Sequence, residues 1–219
     1  MCVFFKTEHI YGYYKYKYKY KYKYKYKYKY KYKYKYKNIY TYMTYGKHTY
    51  GRPNVLWESN DVKLTVGNFC SIAANVNIYL GGNHRTDWVT TYPFGHVSKD
   101  RFNKFDGKGH PATKGDVVIG NDVWIGNNVT IMSGVSIGDG VVIANNSHVV
   151  KNVEPYSLIG GNPANLIKYR FTPEQIEKLL EIKWWYWDDD KINQFSPLLC
   201  NNNIDNFINT ASLCKNIKI

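Results

Sequence analysis

The chain has 219 residues, a net charge of +13 at pH 7 and 17% aromatic residues. That length suits one main domain with additions at its ends, and no run approaches the roughly eighteen consecutive apolar residues of a membrane span. The opening MCVFFKTEHI has no long apolar core or small-residue cleavage site. The four cysteines (Cys2, Cys70, Cys200, Cys214) form no CxxC pair or ligand cluster, so a soluble cytoplasmic protein without a bound metal is expected.

From Tyr14 to Lys37 tyrosine and lysine alternate without a break, supplying twelve of the thirty basic residues. Without that tract the charge is 13 − 12 = +1, so the rest of the chain is nearly neutral. A perfect two-residue repeat offers no varied apolar surface for packing, and residues 1–43 are expected to form a disordered tail. An extended tract would put tyrosines on one face and lysines on the other. Such a ribbon could stack bases and neutralise phosphates, although charge runs more often form solvated tails. Nucleic-acid contact is expected only as a non-specific property of residues 14–37. The rival reading makes the remainder a scaffold that presents these arms to polyanions.

Past the tract, Val66, Ile72 and Ile78 recur every six residues, and Leu64, Cys70 and Val76 do so two positions earlier. The same comb returns as Ile119, Ile125, Ile131, Ile137, Ile143 and Val149, with Val117, Val123, Val129, Val135, Val141, Ser147 and Val153 beside it. A helix needs apolar spacings of three and four; this is β-alternation reset every six residues. Glycine, asparagine or aspartate often follows, where a tight corner needs positive φ. The pattern predicts a parallel β-helix of hexapeptide repeats, three hexads closing one triangular coil and stacking aliphatic ladders inside. A sandwich would space its strands more loosely, every eight to twelve residues.

Between Ile78 and Ile119 the spacing is 41, which is not a multiple of six. Residues 83–116 are therefore an excursion from the coil, rich in Gly and Pro and anchored by Trp88, Val89, Tyr92 and Phe94. Long irregular loops on a rigid scaffold usually carry function. Beyond the coil, Thr172-Pro173-Glu174-Gln175 reads as a helix start with a threonine cap and a capping box. Ile176, Leu179, Leu180 and Ile182 give that helix a buried stripe. WWYW at 184–187 is expected to plug the open end of the coils, and Asp188 to Asp190 to open a further short helix.

Three stretches carry a resemblance: LGGNHRTDWVTTYPF (80–94), KGDVVIGNDVWIG (114–126) and GGNPANLIKYRF (160–171). With YGKHTYG before the coils and IKWWYW after them, residues 44–195 resemble the xenobiotic acetyltransferase branch of the hexapeptide-repeat acyltransferases. That branch holds streptogramin A and hexapeptide-type chloramphenicol acetyltransferases and many sugar O-acetyltransferases; nothing in it matches the Tyr-Lys tract. The resemblance implies an all-β main domain over residues 44–165, a left-handed parallel β-helix with an extruded active-site loop, and a C-terminal helical segment over 166–219. It implies a homotrimer with active sites between subunits and direct transfer from acetyl-CoA to a small acceptor.

By the same resemblance His84 is the general base. An imidazole titrating near neutrality can take the proton of an attacking hydroxyl. Asn83, Asp87 and Tyr50 are implied on the acceptor side. Asp87 either orients the imidazole, pairs with Arg85 or caps a turn of its own loop, and Tyr50 is either pocket wall or packing. Trp124, Ala144, Lys114, Asn162, Lys168 and Arg170 are implied on the acetyl-CoA side, several of them equally readable as packing or surface charge. DWVTTYPF resembles the sugar-modifying members somewhat more than the antibiotic-modifying ones, so the expected acceptor is a hydroxyl of a sugar or nucleotide sugar, with streptogramin A or chloramphenicol, or a sugar amine, as the alternatives. His9 and His48 are isolated, His96 and His110 lie in the excursion, and only His148 falls within the hexads. A zinc site of the β-helical carbonic anhydrase kind needs three converging ligands, which excludes that reading.

Overall fold

The computed structural model describes residues 43–57 and 61–216. The Tyr-Lys tract and the rest of the expected tail up to residue 42 lie outside the described residues. Among the described residues there are thirteen strands, and the first eleven are short because each hexad allows only two or three residues before its corner. They are β1 (Met43–Tyr45), β2 (Asn54–Leu56), β3 (Leu64–Val66), β4 (Ser71–Ile72), β5 (Asn77–Tyr79), β6 (Val117–Ile119) and β7 (Trp124–Ile125). There follow β8 (Thr130–Ile131), β9 (Ser136–Ile137), β10 (Val142–Ile143), β11 (His148–Val149), β12 (Ser157–Gly161) and β13 (Ala164–Tyr169).

They form three sheets. Sheet one runs β1-β3-β6-β9, sheet two β4-β7-β10-β12-β13, and sheet three β2-β5-β8-β11. From β3 to β11 each strand pairs in parallel with the one three further along, so the chain visits the sheets in rotation. Register stacks the comb residues in ladders. Val66 lies beside Ile119 and Ile137, Ile72 beside Ile125 and Ile143, and Ile78 beside Ile131 and Val149. All of these are buried, each contributing about 1.5–3 kcal/mol of transfer free energy.

The winding begins earlier than the comb shows. Met43 pairs with Leu64, Tyr50 bridges Ser71 in parallel, and Val55 pairs with Ile78. Among the described residues this leading turn has a neighbour on one side only, and β1 and β2 are half-buried or exposed and leave no clean apolar pattern. Corners use positive φ, as expected for Asn75, Asn128, Asn146 and Asp122, but also for the bulky Phe69 and Tyr156. Such residues rarely adopt that conformation. Here their rings are held against Trp184 and Phe171. The same corner carries a side-chain ladder. Asn68 accepts from the Lys47 N–H at 2.8 Å, Asn121 from the Asn68 N–H at 2.8 Å, and Asp139 from the Asn121 N–H at 2.7 Å.

Helix α1 (Pro173–Ile182) starts as expected: Thr172 accepts from the Gln175 N–H, Gln175 answers in a capping box, and Leu179 and Ile182 are buried. A 3₁₀ turn spans Trp184–Tyr186, and Asp188 caps α2 (Asp189–Leu199); α3 (Ile204–Asn216) follows. The expected end plug is corrected. Lys47 donates to the Trp187 carbonyl, Asn68 to the Trp185 carbonyl, and Phe69 packs on Trp184. Tyr156 of the last coil joins the same cluster. Contacts from the first coil to the last require WWYW to lie along a corner rather than across an end. The reason is the Phe69 and Tyr156 rings, which that corner would leave in water if the aromatic cluster did not cover them. Among the described residues no helix is long and apolar enough to cross a membrane.

Candidate active site

The excursion leaves after β5 in sheet three and returns at β6 in sheet one, so the rotation of sheets continues across it unbroken. Its neck is tied. Asn83 and Ala112 exchange backbone hydrogen bonds of 3.0 and 2.8 Å, and Thr113 Oγ1 donates to the Leu80 carbonyl at 2.5 Å. The Asn83 side-chain amide donates to Ser133 Oγ at 2.9 Å, fastening the neck to the next coil. The Lys114 N–H reaches the same hydroxyl at 3.3 Å, while its side chain is exposed. Between these ties residues 84–111 form no helix or strand.

His84, next to the neck, is exposed, and its Nδ1 lies 2.7 Å from the Thr91 carbonyl. A carbonyl only accepts, so Nδ1 carries the hydrogen and the neutral ring keeps Nε2 bare. That is the tautomer a general base needs. Asp87 does not touch the imidazole. It forms a two-pronged pair with Arg85, which holds its carboxyl at about 2, well below the usual carboxylate range. Arg85 in turn lies over the Trp88 ring. Trp88, Tyr92, Phe94, Phe102 and Phe105 wall a cavity of about 570 Å³ within the excursion.

The residues implied for the donor side fall elsewhere. Ile125, Ile143 and Ile159 point into the coil, so the positions before them point out. Register then runs Tyr50, Ser71, Trp124, Val142, Leu158, Lys168 in one outward row across sheet two. Tyr50 is 65% and Trp124 56% exposed. Beside the row stands a column of small residues, Ala73, Gly126, Ala144 and Gly160, linked by backbone bonds through Ile125, Ile143 and Ile159 at its first three members. Asn162 is exposed in the turn from β12 to β13. Arg170 turns inward instead: it donates to the Gly140 carbonyl at 2.6 Å, reaches Asp122 at 3.5 Å and stacks by Tyr156 and Phe171. The structure thus gathers Tyr50, Trp124, Ala144 and Lys168 on one face, Asn83, His84 and Asp87 at the loop, and leaves Arg170 with neither.

Residues 116–151 match the family of bacterial transferase hexapeptide (six repeats). A probable macrolide acetyltransferase of Lysinibacillus sphaericus is 53% identical over 131 residues, 59% of this chain and 73% of the relative. A chloramphenicol acetyltransferase of Klebsiella aerogenes is 44% identical over 152 residues, 65% of this chain and 68% of the relative. The chain belongs to the hexapeptide-repeat acetyltransferases.

A virginiamycin A acetyltransferase of Staphylococcus aureus is also similar, 47% identical with 65% of each chain covered. What reading the motifs left undetermined in this acetyltransferase is the support around His84. The Thr91 carbonyl is a backbone group and has no sequence signal. His110 has one, a histidine just before the loop closes. It is 9% exposed, and its ring stands perpendicular to that of His84 with centroids 4.7 Å apart. His96 packs on its other side at 5.6 Å. Burial, then the two neighbouring imidazoles, hold His110 below the ordinary histidine range. Among the described residues, no group of three or more His, Cys, Asp or Glu is placed to hold a metal ion.

Proposed function

We propose that the protein is an acetyl-CoA-dependent O-acetyltransferase in which His84 is the general base. One observation carries the reading: the 2.7 Å bond from Nδ1 to the Thr91 carbonyl, which leaves Nε2 free on an exposed ring. Nε2 takes the proton of an acceptor hydroxyl as its oxygen attacks the thioester carbon. The tetrahedral oxyanion collapses, expelling the thiolate of coenzyme A, which takes the proton from the imidazolium. Products are the O-acetyl acceptor and free coenzyme A, with no covalent enzyme intermediate. A base in hydrogen-bond reach contributes about 10²- to 10⁴-fold.

The coils wind left-handed and three copies associate. The topology supports a site shared between copies. The excursion rises from the corner between sheets three and one, opposite sheet two, whose outward row carries Tyr50, Trp124 and Lys168. His84 of one copy therefore serves the sheet-two face of another. There Trp124 flanks the donor arm, the small side chain of Ala144 leaves it room, and Lys168, Asn162 and Lys114 face its phosphates. Arg170 has an internal role in this reading. Asn83 and Asp87 shape the acceptor side by fixing the neck and Arg85. The catalytic domain begins at Met43 in β1 and runs to the end of β13 at Tyr169, slightly wider at both ends than the expected 44–165, and the helices follow it.

The acceptor is a small molecule with a hydroxyl on an apolar or aromatic body, of the antibiotic class. The aromatic cavity beside the Thr90–Tyr92 segment favours it over a plain sugar, as do the activities named for the relatives. A sugar or nucleotide-sugar hydroxyl is the second reading, favoured by DWVTTYPF. Free-thiol release from acetyl-CoA is measured against chloramphenicol, streptogramin A, a macrolide, simple sugars and nucleotide sugars, with His84→Ala beside the wild type. Turnover with one class, lost in the variant, is expected; equal rates in both proteins would remove His84 as the base.

A further inference from the structure

His84 lacks the carboxylate that orients many catalytic imidazoles. Asp87, three residues away on the same loop, is bound to Arg85. The side chain in ring contact with His84 is His110, and it sits in an unusual setting. Its backbone is fixed, because its N–H donates to the Gly107 carbonyl at 3.1 Å and it lies two residues before the Asn83–Ala112 bridge. Its imidazole is nine-tenths buried, yet neither Nδ1 nor Nε2 has a hydrogen-bond partner among the described residues. A buried polar group without a partner is costly and uncommon. An aliphatic side chain would fill the same space without that cost, so an imidazole kept here acts on something it touches.

It touches two rings, each pinned at its far side by a carbonyl. His84 is held by Thr91 at 2.7 Å and His96 by Gly107 at 3.1 Å. His110 stands between them, edge-on to His84. The charged groups that face this stack are His84 and His96 themselves and the Arg85 guanidinium, which lies beside Gly109 and is neutralised by Asp87. A second positive charge on His110 would meet its neighbours at short range, and burial opposes it as well.

We propose that His110 is a positioning residue for the base: it fixes the plane of the His84 imidazole, and its neutral, polarisable ring supports the imidazolium that forms on His84 during transfer. This rests on His84 being the base. The Thr91 carbonyl takes the Nδ1 position where other sites put a carboxylate, and His110 packs against the same ring beside it.

The test uses the full chain with acetyl-CoA and whichever acceptor supports turnover. His110→Leu keeps the packing and removes the polar ring. Its kcat is expected to fall about tenfold, with KM for both substrates within twofold. The acid limb of its kcat/KM profile is expected to move to lower pH, because an apolar neighbour disfavours the His84 cation. His110→Gln, polar and uncharged, is expected to recover part of both effects, and it serves in place of the leucine variant if that variant does not fold. A residue that merely filled space would change the melting temperature and leave the acid limb in place. A wild-type kcat and an unmoved acid limb in His110→Leu overturn the inference. His84→Gln is run alongside. If it loses turnover while His110→Leu behaves as wild type, only the role of His110 fails. If His84→Gln keeps turnover and its acid limb, the reading of the base fails and this inference falls with it.

Discussion

Ile125 of the coil lies between Ile72 in the coil before it and Ile143 in the coil after it, whereas His84 of the excursion is held by one carbonyl and one ring. The first is determined by repetition: any residue of similar shape and polarity in that register is pulled inward by its neighbours. The second is determined by particular partners, Thr91 and His110, that no repeat supplies. A scaffold built from identical steps is stiff and tolerant of sequence drift, but every corner looks alike and no position is special. Breaking the repeat once, at a neck tied to the next coil through Asn83 and Ser133, sets a single imidazole apart while the sheets continue beneath it.

Substitutions in the two regions should therefore fail in different ways. The largest effect is expected in the coil: Ile131→Ala, at a position with no exposure, loses about 2–5 kcal/mol of stability. In a chemical-denaturation curve the midpoint should fall sharply, with kcat per folded molecule retained. Asn83→Ala removes the tie between neck and coil. It is expected to cost about 1 kcal/mol of stability and about tenfold in kcat, because the base loses its fixed geometry. Thr172→Ala removes the cap of α1 at about 1 kcal/mol, read as a lowered melting temperature with turnover unchanged, since none of the residues proposed for transfer lies on the corner helices.

The smallest effect is a pH slope. His110 is held below its ordinary value in the folded protein, so in acid the unfolded chain binds a proton that the folded chain resists. Stability is unaffected above the unfolded value, about 6.5, and declines as pH falls below it toward the folded value. Denaturation midpoints taken between pH 7.5 and 5 should fall less steeply in His110→Leu than in the wild type.

Much of this was legible in the residues. The comb from Leu64 to Val149 marked every inward position of the hexads, because a period of six on β-alternation leaves no other face for Ile125 or Val141. The break in that period located the excursion, and Thr172 with Gln175 located the first helix. The leading turn of residues 43–57 was not legible, since a coil with one neighbour needs no strict apolar face. The position of WWYW was misread because an aromatic cluster can cover a corner as readily as an end. Only the pairing of Tyr156, Phe69 and Trp185 with the helices distinguishes the two. At the site, the interrupted repeat held three histidines, and the resemblance of NHRTD singled out His84 among them. The Thr91 carbonyl and the perpendicular His110 were not, because a loop without regular structure brings residues together at no fixed spacing.

The central claim is a division of labour between copies: the excursion of one chain supplies the base, and sheet two of another supplies the donor face. Subunit mixing tests it most directly. His84→Ala and Ala144→Trp, the second blocking the small-residue column, are each expected to be inactive alone. Unfolded together in equal amounts and reassembled, random trimers should regain about a quarter of wild-type thiol release, because each mixed trimer contains one intact pair. Activity in the mixture no higher than in either variant alone would contradict the account and put base and donor face on the same chain.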